Sequence, residues 1–207
     1  MNNSVSKIIE KARHRRFPIH GSIELTRACN FSCPYCYLPS PGDRRSEPEL
    51  NRAEILSIFD QIAEAGTLFL TFTGGEPLSH PEFRSLYLAA LQRGMLIIIF
   101  SNGVLIDRAL ADFFADYPPF HIDLTIPGAR RETYEKISGV TGSFRRFRQA
   151  IALLRERKIS FGLKSVIGTF NYREIPEMKK LAVSRGVSFR YDPLIVSESD
   201  GSNRTPF

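Results

Sequence analysis

Short apolar stretches recur along this chain, each followed by a segment of helical periodicity, and that alternation restricts the fold more than any other feature. Residues 19–25 alternate loosely around Ile19, Ile23 and Leu25 and read as a first strand. Residues 68–72 form a second strand. Residues 95–100 form a third that is almost wholly apolar, as a sheet covered on both faces demands. Residues 120–126, 160–167 and 187–191 complete the set. Between them lie helical patterns with recognisable ends. Asn51 and Glu54 make a capping pair ahead of Ile55, Phe59, Ile62 and Ala63, and Gly66 closes that helix. Pro81 opens a second helix that Gly94 ends, and Asp107 caps a third. Ser143 is expected to cap a fourth, with Arg157 and Lys158 near its negative end; a fifth runs from about residue 173 to Gly186.

Six strands alternating with five helices argue for a parallel α/β architecture. At 207 residues the chain is too short for an eight-fold barrel, which typically needs ~250. The expected fold is therefore a partial (β/α)6, TIM-like open barrel of parallel strands; a doubly wound sheet is the alternative on pattern alone. Residues 4–16 suggest a short amphipathic helix, so 1–18 read as an N-terminal helical extension and 19–193 as the core. Residues 39–49 read as loop. Residues 194–207 lack periodicity and read as an irregular tail, expected to break off before a further C-terminal region.

A hydrophobic content of 43% suits one sizeable core. No apolar run approaches the ~20 residues of a membrane span, and the polar, basic first residues carry no secretory h-region, so no membrane association is expected. The net charge of +6 suggests an anionic partner: nucleic acid, an acidic peptide or an acidic electron-transfer protein. The arginines, however, fall in scattered groups that read as solvated helix faces, with no RNA-binding signature. A nucleic-acid partner is not expected.

The three cysteines of the chain, Cys29, Cys33 and Cys36, fall in one C-x3-C-x2-C loop just past the first strand. A turn this tight can aim three thiolates at one site, as an iron–sulfur cluster requires. A fully protein-ligated [4Fe–4S] cluster takes four thiolates, so three leave one iron open to an outside ligand. Zinc is the competing metal, but there is no second Cys knuckle, and His14 and His20 precede the motif without a ligand pattern. Disulfide pairing leaves an odd thiol. Clustered free thiols without a signal peptide fit a reducing cytoplasm.

This loop, with aromatic Tyr35 directly before the last cysteine, resembles that of the radical S-adenosylmethionine (radical SAM) family. The resemblance implies a [4Fe–4S] cluster on Cys29, Cys33 and Cys36 whose open iron chelates S-adenosylmethionine. Reductive cleavage then yields a 5′-deoxyadenosyl radical that abstracts hydrogen from substrate. It also implies a reductant such as a flavodoxin or ferredoxin.

Ligands of parallel α/β folds bind at the carboxyl ends of the strands. Strand two ends in Gly74-Gly75-Glu76-Pro77. Its glycines permit positive φ and close backbone approach, and its carbonyls and carboxylate can accept from an ammonium; the alternative is an ordinary strand–helix turn. The stretch resembles the family's GGEP motif, which binds the methionyl amino group. Strand three ends in Ser101 and Asn102, which the resemblance places near S-adenosylmethionine. Asp123 lies inside an apolar strand and reads either as a ribose or substrate contact or as half of a buried pair. On strand five, Lys164 is expected to neutralise the carboxylate of S-adenosylmethionine, and Val166, Gly168 and Asn171 to lie near its adenine. Lys164 and Asn171 depart from the family pattern, which has glycine and glutamate there. Tyr35 is expected to pack against adenine, or else to belong to the core.

The segment 126–144 resembles the subgroup that modifies ribosomally made peptides, and Arg190 to Pro193 fits it too. A peptide substrate is therefore expected. Two readings from other classes stand beside it: a tRNA- or nucleotide-modifying radical SAM enzyme, supported by charge alone, and a non-catalytic iron–sulfur electron-transfer protein.

Overall fold

The computed structural model describes residues 16–39 and 48–193, together with 10, 12 and 14. The helix expected over 4–16 lies largely outside the described residues, although 10, 12 and 14 are helical. The tail 194–207 and most of the loop 39–49 also lie outside them. Six strands, β1 (His20–Thr26), β2 (Phe69–Gly74), β3 (Leu96–Ser101), β4 (His121–Thr125), β5 (Phe161–Val166) and β6 (Phe189–Asp192), pair in parallel in the order 1-2-3-4-5-6. That order never reverses, so it has none of the switch points of a doubly wound sheet, and that alternative is not realised. Right-handed crossovers that always step the same way put their helices on one face of the sheet.

The helices are α1 (Arg52–Glu64), α2 (Phe83–Gln92), α3 (Arg108–Asp116), α4 (Arg131–Ser138), α5 (Ser143–Glu156) and α6 (Ile175–Arg185). α1 starts on the expected reciprocal box: the Asn51 side chain accepts from the Ala53 and Glu54 amides, and Glu54 accepts from the Asn51 amide. Asp107 caps α3 by accepting from the Leu110 amide at 2.8 Å.

Strand register sorts the side chains. Ile23, Phe72, Ile97, Ile99, Ile122, Leu124 and Leu163 are buried beneath the helices, against Phe59, Leu86, Tyr87, Phe114 and Phe147. Full burial of such side chains contributes about 1.5–3 kcal/mol each. The opposite face carries the rows Thr71–Ile98–His121, Phe100–Asp123–Gly162 and Thr125–Lys164–Arg190. This overturns the expectation that β3 is covered on both sides. Leu96 is 37% exposed and Ile98 and Phe100 are half-buried, because the helices cover only the other face.

Two further expectations change. The sequence pattern did not show α4, whose cap residue Arg130 makes no side-chain capping bond. The entry to the helix is held instead by the distant Glu174 carboxylate, which accepts from the preceding Ala129 and Arg130 amides at 2.7 and 3.1 Å and from the Thr133 hydroxyl. Ser143 is not a cap: it is the first residue of α5, the cap position belongs to Gly142 at φ 79°, and the Ser143 hydroxyl bonds that of Ser138.

Candidate active site

β1 loses its regular register between Glu24 and Thr26, and the cysteine loop leaves the sheet there. From that point the loop crosses the carboxyl ends of the strands in their own order. Thr26 and Ala28 meet the turn after β2, where their carbonyls accept from the Gly75 and Glu76 amides, both at 2.8 Å. Asn30 meets the end of β3, its side-chain oxygen accepting from the Asn102 amide group at 2.7 Å. Ser32 donates its amide to Ser138 at the end of α4, at 3.0 Å. Tyr35 then stacks on Phe170 beyond β5, with ring centroids 5.2 Å apart. Cys29, Cys33 and Cys36 are partly exposed along this path, and none of them is in a disulfide.

The glycines of the β2 turn are required by this crossing. Gly74 has φ 118°, and a Cβ there would lie 2.4 Å from the Thr26 carbonyl oxygen. A Cβ on Gly75 would lie 2.2 Å from that of Ala28. The close approach expected of these glycines is thus made to the cysteine loop. Pro77 is buried at the start of a 3-10 turn. Glu76 differs from expectation. It is fully buried, and its carboxylate accepts from the Ser101 hydroxyl at 2.8 Å, the Asn102 amide at 2.8 Å and the Leu78 amide at 3.1 Å. Burial pushes its carboxyl up to about 7 despite these donors. Glu76 therefore braces the ends of β2 and β3. Ser101 and Asn102 are buried with it, and their oxygens accept from the Gly103 and Val104 amides in turn.

Across the mouth, Asp123 is one half of a pair: one Arg190 nitrogen lies 2.6 Å from both carboxylate oxygens, and His121 stands 3.6 Å away. The paired reading of Asp123 is the one realised. Lys164 places its ammonium 3.2 Å from the centre of the Phe100 ring. Burial pulls it down to about 8, opposed by Asp123 and assisted by Arg190. Lys164 and Val166 line a cavity of about 390 Å³ with Phe100, Thr125, Arg190 and Asp192.

Asn171 does not face this cavity. It is buried, its amide group donates to the Pro127 and Val166 carbonyls, and its oxygen accepts from Gly168. It ties the loops after β4 and β5 together. Gly168 makes room for Phe170, whose ring a Cβ there would meet at 2.4 Å. One face of Tyr35 is thereby covered by Phe170. Phe170, Asn30, Tyr134 and Glu174 were absent from the sequence reading; Asn30, inside the cysteine motif itself, carried the nearest thing to a signal.

A family model described as the Radical SAM superfamily matches residues 23–182, from within β1 through β5 and most of α6. The chain belongs to the radical SAM superfamily. Among curated relatives, a PqqA peptide cyclase of Granulibacter bethesdensis is 33% identical over 165 residues, covering 80% of this chain and 44% of that protein. An Fe-coproporphyrin III synthase of Methanosarcina barkeri is 32% identical over 152 residues, covering 73% of this chain and 38% of that protein. The chain thus spans less than half the length of these relatives. Among solved structures, Streptococcus suis SuiB bound to the precursor peptide SuiA superposes with a TM-score of 0.73 at 18% identity, covering 91% of this chain and 44% of SuiB.

The radical SAM family uses a [4Fe–4S] cluster and S-adenosylmethionine. The donor set here fits such a cluster: three partly exposed thiols outside any disulfide sit in one loop tied to the strand ends. Among the described residues, no three His, Cys, Asp or Glu side chains gather as they would for a single metal ion. A cluster gives each thiolate its own iron, so the three must face one cluster without meeting at one ion. No helix among the described residues is long and apolar enough to cross a membrane.

Proposed function

We propose that this chain is the catalytic core of a radical SAM enzyme acting on a ribosomally made peptide. Cys29, Cys33 and Cys36 hold the cluster and leave one iron for the methionine end of S-adenosylmethionine. The bound pair supplies a one-electron cleavage that ends in hydrogen-atom abstraction from substrate. The observation that carries the reading is the stitching of the Gly74–Gly75–Glu76 turn to the cysteine loop, through amide bonds to Thr26 and Ala28 at 2.8 Å. An electron carrier has no need of such a turn, whereas a ligand that must meet iron and ammonium acceptors together does.

In this reading the backbone of the turn faces the ammonium, and Glu76 fixes its shape from behind. Ser101 and Asn102 hold the loop in place, while Tyr35 presents its free flank to the adenine. Lys164 and Arg190 bring positive charge to an anionic group of the cofactor or peptide. A peptide substrate is supported by the peptide cyclase relative and by the fold shared with the peptide-bound SuiB. The net charge of +6 suits an acidic reductant of the flavodoxin or ferredoxin kind. Iron-ligating thiols call for a reducing compartment, the cytoplasm.

Anaerobic reconstitution tests the reading. The protein should take up about four irons per chain and form 5′-deoxyadenosine when reduced with dithionite in the presence of S-adenosylmethionine. A protein that takes up the iron but neither binds nor cleaves S-adenosylmethionine would return the chain to the electron-carrier reading.

A further inference from the structure

α4 brings to the cysteine loop a group that the strand-end motifs do not include. Its Tyr134 is fully buried, met edge-on by Phe31 at 6.3 Å between ring centroids and flanked by Phe147 at 5.1 Å. The helix is held from both ends, by the Glu174 carboxylate at its start and by the Ser32 amide on Ser138 at its close. Yet the Tyr134 hydroxyl has no hydrogen-bond partner among the described residues. Tyr134, like Tyr35 from within the loop, lies within electrostatic reach of the Cys33 thiol.

A buried hydroxyl left unpaired costs about 1–3 kcal/mol. An unpartnered phenol packed against the cysteine loop marks a place for an acceptor that the loop would hold.

The geometry points to Tyr134 as a hydrogen-bond donor to the cluster sulfur at Cys33, where it makes the cluster easier to reduce. This rests on the reading of the three cysteines as cluster ligands. A hydrogen bond to a cluster sulfur stabilises the more negative, reduced state, and such bonds are among the protein's levers on potential. Tyr134 reaches the site from a helix outside the cysteine motif, so its contribution can be removed without touching a ligand.

The test is an EPR-monitored redox titration of the reconstituted protein beside its Tyr134→Phe variant. The variant should bind the same iron and lose about tenfold in the reduction equilibrium, a downward shift of about 59 mV for a one-electron couple. Its cluster-free form should unfold at the same temperature or higher, because phenylalanine removes an unpaired hydroxyl and nothing else. Site-specific 3-fluorotyrosine at position 134, a stronger donor of nearly the same shape, should move the potential upward. A parental potential in the Phe variant, with its cluster intact, overturns the proposal and leaves the cluster assignment standing. Lower cluster-free stability with an unchanged potential also overturns it, in favour of a structural hydroxyl. A parent protein that takes up no reducible cluster overturns both.

Discussion

On the β1–β3 flank of the strand-end mouth, polar groups are spent on other parts of the chain. Glu76 takes three donors, Asn102 reaches Asn30, and the Gly75 and Glu76 amides reach Thr26 and Ala28. On the β4–β6 flank the charges stand around space. Lys164 lies over Phe100 at the wall of the cavity, and Arg190 holds Asp123 from a position that is 64% exposed. The first flank is a closed joint that shapes a backbone, and the second is an open wall that can adjust to what enters. Substitutions should therefore act on iron and fold at the first, and on affinity at the second.

The largest expected effect is at the joint's metal end. Cys33→Ala should drop iron from about four per chain to near zero and abolish 5′-deoxyadenosine formation. A variant that kept its iron and turned over normally would dissolve the distinction between the flanks. Next comes Gly75→Val. A Cβ 2.2 Å from the Ala28 carbonyl must push the loop away just before Cys29. Because a displacement of ~1 Å can cost 10²-fold, S-adenosylmethionine cleavage should fall by at least about that factor, with iron retention falling alongside it. Iron measured in the folded variant checks this. Full iron with lost cofactor binding would separate the turn from the loop it is tied to here.

Glu76 offers a pH test of the joint. Its carboxyl sits at about 7 when folded against 4.5 for the ordinary group, so the folded state binds the proton more tightly. The sign follows: this group's contribution is most favourable below about pH 4.5, declines as pH rises through 7, and is flat above. Over that window it is worth about 3 kcal/mol at most, at 1.36 kcal/mol per unit. Urea titrations between pH 5 and 8 should show the decline in the parent and its absence in Glu76→Gln. A decline of equal slope in both proteins would place its origin elsewhere.

The smallest effect belongs to the open wall. Lys164→Met should leave iron content and fold unchanged and weaken S-adenosylmethionine or substrate binding about tenfold, roughly 1.4 kcal/mol. In the parent this contribution should fade above about pH 8, where the buried ammonium gives up its charge. Loss of iron in Lys164→Met would show that the two flanks are coupled.

What the sequence disclosed follows the range of the forces involved. Strands, the α1 box and the Asp107 cap are set by neighbours within a few residues, and they were legible. α4 was not, because its capping carboxylate, Glu174, lies beyond the next strand in the chain. The C-x3-C-x2-C and Gly-Gly-Glu-Pro runs were legible as chemistry. The side-chain role of Glu76 was not, since its acceptor sites are filled from β3 as well as from its own turn. Asn171 looked like a cofactor contact because a buried polar residue at a strand end reads the same whether it serves a ligand or two backbone carbonyls. β3 looked doubly covered because Ile98 and Phe100 are apolar, and their half-exposure depends on which way the helices wind.

The path of the cysteine loop also fixes an order of events during synthesis. The thiols emerge from the ribosome early, but the ring that Tyr35 rests on, Phe170, belongs to the far end of the domain. At about 5–20 residues per second, that anchor follows on the order of ten seconds behind. Through that interval the loop can be tied to the ends of β2, β3 and α4, but its far end has no ring to rest on. On the proposed reading, the loop becomes a complete cluster site only once β5 and the segment beyond it have arrived, so cluster uptake should follow rather than precede the last strands.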